Sequence, residues 1–292
     1  MHLDPITPRQ RVTKNIPFIV WLLPWALFII SALFPVEWSE NKRFLDSQHE
    51  TVVRQLSTLR AKLEAELNME LLLARSIIVD VKMNTDITEE RFNTIAHHFM
   101  KSSKHIKNIG LAKDTVLTYV YPREGNEKAI GFNYRDNTAQ WPAVRRVIEE
   151  RKTVVAGPLN LVQGGVGIIG RTPIFIKNSR AVQGKNQGDY FGLLSVVINL
   201  PGLLKSAGLA EADSVLKISI RGKDGLGAGG DCFYGSEDLF DADPVLMKVS
   251  LPGGHWLMAG EPLGGWEMKS PRVNYYRMAA IIIGLIIIIL AY

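Results

Sequence analysis

IKNIGLAKDTVLTYVYP, Ile106 to Pro122, is the stretch where the pattern of this chain changes from helix to strand. Its β-branched and aromatic residues fit a pleated surface, and Lys113-Asp114 interrupts them midway, so it reads as a strand pair joined there. Upstream the pattern is different. From Glu37 to about Val81 there is no Gly or Pro, and Leu45, Val52, Leu56, Leu59, Leu63, Leu67 and Leu71 recur at spacings of three, four and seven. That spacing predicts one long amphipathic helix, with a stripe suited either to a partner helix in a homodimer stalk or to the chain's own domain. Asn84, Thr85 and Asp86 break it, and Asp86 with Glu89 resembles a reciprocally capped start of a short helix ending near Ser102.

Downstream, Trp141-Pro142 opens a helix through Glu150, with proline in the first turn where its missing N–H costs nothing. TVVAGPLNLV and VGIIGRTPIFI, joined at Gln163-Gly164-Gly165, read as a β-hairpin. A second, shorter unit follows: a strand at Tyr190 to Asn199, a helix at Pro201 to Ala207, and a strand at Val215 to Arg221. Two closing strands lie around Val245 to Leu251 and His255 to Glu261, turning at Pro252-Gly253-Gly254. The expected class is α+β: a long N-terminal stalk helix with two stacked antiparallel-sheet subdomains.

Two apolar runs bracket this module. Ile16 to Pro35 is free of charge, and about 20 such residues cross a hydrocarbon core of about 30 Å. Pro17 and Pro24 are tolerated in a membrane helix, and Trp21, Trp25 and Trp38 suit an interfacial anchor. A cleaved signal peptide is disfavoured, because the run is long and ends in Leu33, Phe34 and Pro35 without a small-x-small site. Arg9, Arg11 and Lys14 precede the run and Glu37 and Glu40 follow it, which places the tail in the cytoplasm and the module outside. Met278 to Tyr292 is a second charge-free run, just short of spanning length. It reads as the start of a second membrane helix, in a fragment of a longer protein or the product of a shortened reading frame, with a cytoplasmic output module expected beyond it.

The expected divisions are residues 1–15 (cytoplasmic tail), 16–35 (first membrane helix), 36–105 (stalk and connecting helices), 106–180 (membrane-distal subdomain), 181–271 (membrane-proximal subdomain) and 272–292 (linker and start of the second membrane helix). A net charge of +5 is spread along the chain without a dense basic block, which argues against a nucleic-acid partner. The single cysteine, Cys232, rules out an internal disulfide, so the outer module relies on its apolar core.

The segments GLAKDTVLTYVYPREGNEKAIGFNYR, WPAVRRVIEERKTVVAGPLNLVQGGVGIIGRTPIF and YFGLLSVVINLPGLLKSAGL resemble the CHASE domain, an extracellular or periplasmic sensor joined to histidine kinases and nucleotide cyclases. The resemblance implies a stalk helix with two PAS-like subdomains, a homodimer, and a small-ligand pocket in the first subdomain. It also implies an output module that is a sensor kinase, a diguanylate cyclase or a phosphodiesterase. In the plant cytokinin receptors, which share the domain, an Asp on the pocket sheet holds the hormone's adenine. Asn133 stands at the matching position, and its amide both donates and accepts. Arg171 falls near a small hydroxyl residue of those receptors, and a guanidinium there favours a carboxylate or phosphate.

Other motifs read blandly. Gly165-Gly167-Gly170 and Gly225-Gly227-Gly230 fit G-x-G-x-x-G, but neither opens a helix after a strand, so both read as turns. Gly229-Gly230-Asp231-Cys232-Phe233 reads as loop. His97, His98 and His105 lack ligand spacing for a metal, and no activated-serine spacing occurs. No cofactor, metal or catalytic group is expected, and the chain is not read as an enzyme. Aromatic walls with a few polar points make up small-ligand pockets. On that ground the candidate ligand-binding residues are Tyr119, Tyr121, Asn133, Tyr134, Arg135, Trp141, Leu161, Gln163, Arg171 and Phe175, about half of which alternation along the strands would also place in plain core. The expected function is an extracytoplasmic ligand sensor that signals through its membrane helices from the inner (plasma) membrane. The alternative is a membrane-anchored scaffold that binds an outer protein or cell-wall partner.

Overall fold

The computed structural model describes residues 18–161, 164–176 and 188–291. The chain separates into two compact units, residues 49–265 and residues 1–48 with 266–292. Helix α1, Phe18–Met83, contributes to both. The expected stalk and the described part of the first apolar run are thus one helix, with Pro24 and Pro35 inside it.

Within residues 49–265 the leucine stripe of α1 is turned inward: Val52, Leu56, Leu59, Leu63, Leu67 and Leu71 are all buried. Each such side chain contributes about 1.5–3 kcal/mol through burial. The stripe is therefore used by the chain's own sheets, and a partner helix would have to meet a different face. After a turn, α2 spans Glu89–Ser102. Its cap is Thr88, whose Oγ1 accepts from Arg91 N at 3.3 Å, so the start lies one position before Glu89 rather than at Asp86. Both residue types cap helices, and Thr88 is the one with extended backbone next to the first helical residue.

The first sheet contains β1 (Ile106–Lys113), β2 (Val116–Tyr121), β3 (Val154–Asn160), β4 (Val166–Ile176) and β5 (Asp189–Asn199), in the order β2-β1-β5-β4-β3 with every pair antiparallel. β5 is thus the middle strand of the first sheet and does not open the second. It is the partner of β1, some 80 residues upstream, which local pattern does not reveal. Asp114 makes the β1–β2 turn at φ 50°. Between β2 and β3 lie two 3-10 turns, at 127–129 and 134–136, and α3, Trp141–Glu150, as the sequence reading expects.

One face of this sheet meets α1. At Gly170 a side chain would collide with Leu71 Cδ2, and Val196 opposite it shares that face. The other face is covered by the 3-10 turns and α3. There Ala112, Leu117, Val120, Val144 and Leu193 form a buried cluster, with Phe132, Trp141 and Ile148 packed against it.

After α4 (Leu200–Ala207) and α5 (Leu209–Ala212), the second sheet runs β7-β6-β9-β8, from β6 (Leu216–Arg221), β7 (Cys232–Tyr234), β8 (Val245–Leu251) and β9 (Gly254–Pro262). β7 is an edge strand where a loop was expected at 231–233; three residues after a glycine pair are too few to show alternation. Gly260 on β9 would place a Cβ 2.9 Å from Leu56 Cδ1, so this sheet too lies close against α1. Trp256 is fully buried, edge-on to Phe233 at 5.0 Å.

In the other unit, α6, Arg272–Ala291, is helical from Arg272, so the expected linker is itself helix. Arg277 donates to both carboxylate oxygens of Glu37, at 2.6 and 2.7 Å. Ser270 bonds Glu40 and Asn41, and Gln48 exchanges two hydrogen bonds with the Glu267 backbone. Among the described residues one window, Arg272–Ile289, is long and apolar enough to cross a membrane. On α1, Phe28 and Phe34 point outward, as does Ile289 on α6.

Candidate functional site

The register of the first sheet determines which side chains can meet a ligand. Asn108 and Gly110 on β1, Val120 on β2, Ile169 on β4, and Ser195 and Val197 on β5 share the face away from α1. Together with Asn126, Phe132, Tyr134 and Gln140 from the covering layer, and Leu159 to Leu161 at the end of β3, they line a cavity of about 170 Å³. That is smaller than the ~300–1,000 Å³ of drug-sized pockets and suits a metabolite of few atoms. Room arises partly because Gly110 has no side chain: a Cβ there would stand 2.8 Å from Leu117 Cδ1.

The wall is mostly apolar with a few fixed polar points. Asn108 Nδ2 donates to Asn126 Oδ1 at 3.0 Å, and Asn126 Nδ2 donates to the Pro122 carbonyl at 2.9 Å, which braces the covering loop. The Tyr134 hydroxyl lies 3.3 Å from Ser195 Oγ. Lys128 stands exposed at the rim, and among the described residues no carboxylate lines the cavity.

Arg171, on β4 opposite Ser195 and two residues beyond Ile169, is 1% exposed. Its Nη2 donates to Gln140 Oε1 at 2.5 Å, its guanidinium carbon lies 5.4 Å from the Tyr134 ring centre, and its Nε has no partner. Burial is the main influence on it and lowers its pKa, while Tyr134 and Asp224 pull the other way. The group remains a cation, since an arginine starts far above neutrality. It is held in the interior by one amide and a ring.

Of the residues expected at a site, Tyr134 and Leu161 line the cavity, and Arg171 touches two residues that do. Tyr119 and Tyr121 share a face, as alternation requires, but it is the other one. Tyr119 donates to the Ile87 carbonyl at 3.2 Å and stacks near Phe92, and Tyr121 lies 2.5 Å from His97 Nδ1. A bulge at Leu111/Ala112 shifts the parity between the two strands, so Leu117 and Val120 face the cavity instead. Asn133 is engaged in its own turn, accepting from Thr115 Oγ1 and Arg135 N and donating to Asp136. Arg135 is an exposed residue paired with Asp114 and lying over Trp141. Trp141 packs on the apolar cluster, and Phe175 lies under the Arg151 guanidinium, 3.4 Å from ring centre to carbon. Gln163 lies outside the described residues.

Asn108, Gly110, Asn126, Gln140, Ser195 and Val197 went unnoticed in the sequence. A signal was present for one of them: Ser195 is the single polar residue in an otherwise apolar stretch, GLLSVVI, and buried polar groups occur where something bonds them. Among the described residues no group of three or more His, Cys, Asp and Glu converges on a point.

Comparison with known proteins places this architecture. No curated protein is similar enough in sequence to count as a relative. Among solved structures the chain is similar to an extracellular ligand binding receptor from Desulfohalobium retbaense, with TM-score 0.55 and 15% identity, over 70% of this chain and 39% of that one. It is also similar to the sensory domain of the Campylobacter jejuni chemoreceptor Tlp3, with TM-score 0.52 and 11% identity, over 79% of this chain and 98% of that domain. At such identities the likeness is one of fold: a long helix carrying two antiparallel sheets, as in extracellular sensor domains. The CHASE domain family matches residues 89–234, half of the sequence, and the match contains the first sheet, its covering layer and the cavity between them. By that match this chain belongs to the CHASE domain family.

Proposed function

We propose that the chain is the sensing part of a membrane receptor, with residues 49–265 outside the cytoplasm and the apolar segments at 16–35 and 272–291 in the membrane. The observation that carries this reading is the cavity between the first sheet and its covering layer, walled by apolar side chains with a few bonded polar points. A small molecule bound there would order the layer at 126–140 against the sheet, and the sheet's opposite face rests on α1. The free energy available to any change in α1 is the ligand's preference for one state over the other. The receiving output module would be a cytoplasmic one.

A homodimer through α1 fits this role. Because the Leu56 to Leu71 stripe faces inward, the contact would use the outward residues Met69, Leu72, Val79 and Met83, which recur close to a heptad pattern. Topology is tested with a reporter active only outside the cytoplasm, fused at Gly188: activity there supports the reading, and activity only of a cytoplasmic reporter rejects it. Function is tested with Val197→Phe, which places a ring in the cavity; a response to stimulus that survives this change would remove the cavity from the account.

A further inference from the structure

A guanidinium buried to 1% exposure is costly unless an anion answers it, and among the described residues no carboxylate lies within ion-pair range of Arg171, with Asp224 acting on it only from further off. Among the described residues ten ion pairs, one of them through His105, are formed, and none of them involves Arg171. The groups that do touch Arg171, Gln140 and Tyr134, both line the cavity, as does Ser195 directly across the strand pair. Gln140 Oε1 is a neutral acceptor occupying one arm of a fork that a carboxylate fits with two oxygens. Elsewhere the wall is apolar at Val120, Phe132, Leu159, Ile169 and Val197 and polar at Asn108, Asn126 and Asn160, with Lys128 at the rim.

We infer that the cavity selects a small aliphatic carboxylate, whose two oxygens take the place of Gln140 Oε1 at Arg171 and whose short chain lies against Val120, Ile169 and Val197. The inference rests on the cavity being the sensing site. It also sets a limit. A free amino acid brings an ammonium group, and among the described residues no carboxylate lines the cavity to neutralise it, so simple carboxylates are favoured over their α-amino counterparts. The size of the cavity restricts the chain to a few carbons.

The full chain in lipid nanodiscs is titrated by calorimetry with acetate, butyrate, pyruvate, butyramide and 2-aminobutyrate. The expected result is binding of butyrate or pyruvate at least tenfold tighter than butyramide and 2-aminobutyrate. Removing one partner of a buried charge pair costs enough to weaken binding about 30-fold or more, so Arg171→Gln should abolish most of that affinity while Arg171→Lys retains an intermediate share. Val197→Phe, which leaves Arg171 in place, should abolish binding of every compound; it serves as the control should Arg171→Gln not fold. Butyramide binding as well as butyrate, or full butyrate affinity in Arg171→Gln, overturns the anion assignment and leaves the sensing cavity standing. Binding that survives Val197→Phe overturns both. Failure of all the carboxylates to bind overturns the anion assignment.

Discussion

The two sheets both lie against α1, and among the described residues the first carries a covered cavity where the second carries an open groove. β4 rests Gly170 on Leu71, and β9 rests Gly260 on Leu56. What differs is the opposite face. Between β2 and β3 the chain spends 32 residues, Pro122 to Thr153, on two turns and α3, enough to roof the first sheet. The corresponding face of the second sheet carries Lys217 paired to Glu261 and Ser219 bonded to the Ser236 carbonyl, with only a short 3-10 turn, Glu237–Asp241, beside it. That face is an open groove, and the Tyr234 hydroxyl bonds Asp213 at its edge. A sheet on a helix makes a stable module; a second covering layer is what makes an enclosed site.

If the second sheet derives its stability from dense packing against α1, Trp256→Ala should cost about 3–5 kcal/mol in urea unfolding. A loss under about 1 kcal/mol would mean that this core is not the packed one. The sharper test is one substitution made on each sheet. Val249→Phe, at a fully buried position on β8, should cost about 1–3 kcal/mol through overpacking. Val197→Phe has the cavity to receive the ring and should cost less than Val249→Phe, while removing ligand binding. Equal costs would say that the cavity closes up when empty.

Tyr119→Phe removes a hydrogen bond to the Ile87 carbonyl on the face away from the cavity, and should cost about 0.5–1.5 kcal/mol without changing ligand affinity. A change in affinity would place β2's other face in the site. The smallest effect concerns Asp80, held below the usual carboxylate range by the Arg91 guanidinium that bonds it. A carboxylate lowered in the folded state stabilises above its unfolded pKa and loses that contribution as pH falls through the folded value. Asp80→Asn should therefore reduce stability by roughly 0.2–1 kcal/mol at pH 7 and by less near pH 3, measured by thermal melting.

Much of this architecture is written in local pattern. The leucine stripe of α1, the proline-started α3 and the glycine turn before β4 each depend on residues a few positions apart. The placement of β5 does not, because its partner β1 is far away in sequence and its own residues, apolar on both faces, carry no sign of which sheet they join. The site was legible in part for a similar reason. Alternation puts Tyr119 and Tyr121 on one face, but it does not say which face, and the extra residue Thr118 that breaks the β1–β2 register has no mark in the residues themselves. Arg171 was singled out by the family resemblance; that it is buried with its Nε unpartnered is known only once the surrounding elements are in place.

The two glycine notches also fix a length. Leu56 and Leu71 are 15 residues apart, about 22 Å of helix, and each must arrive at its own notch in the right rotational phase. Removing one residue from α1 between them would turn one leucine about 100° away from its glycine, whereas removing seven would nearly restore the angle but bring the notches about 10 Å too close. This segment of α1 therefore works as a ruler, and indels should be rarer there than in the turns of either sheet.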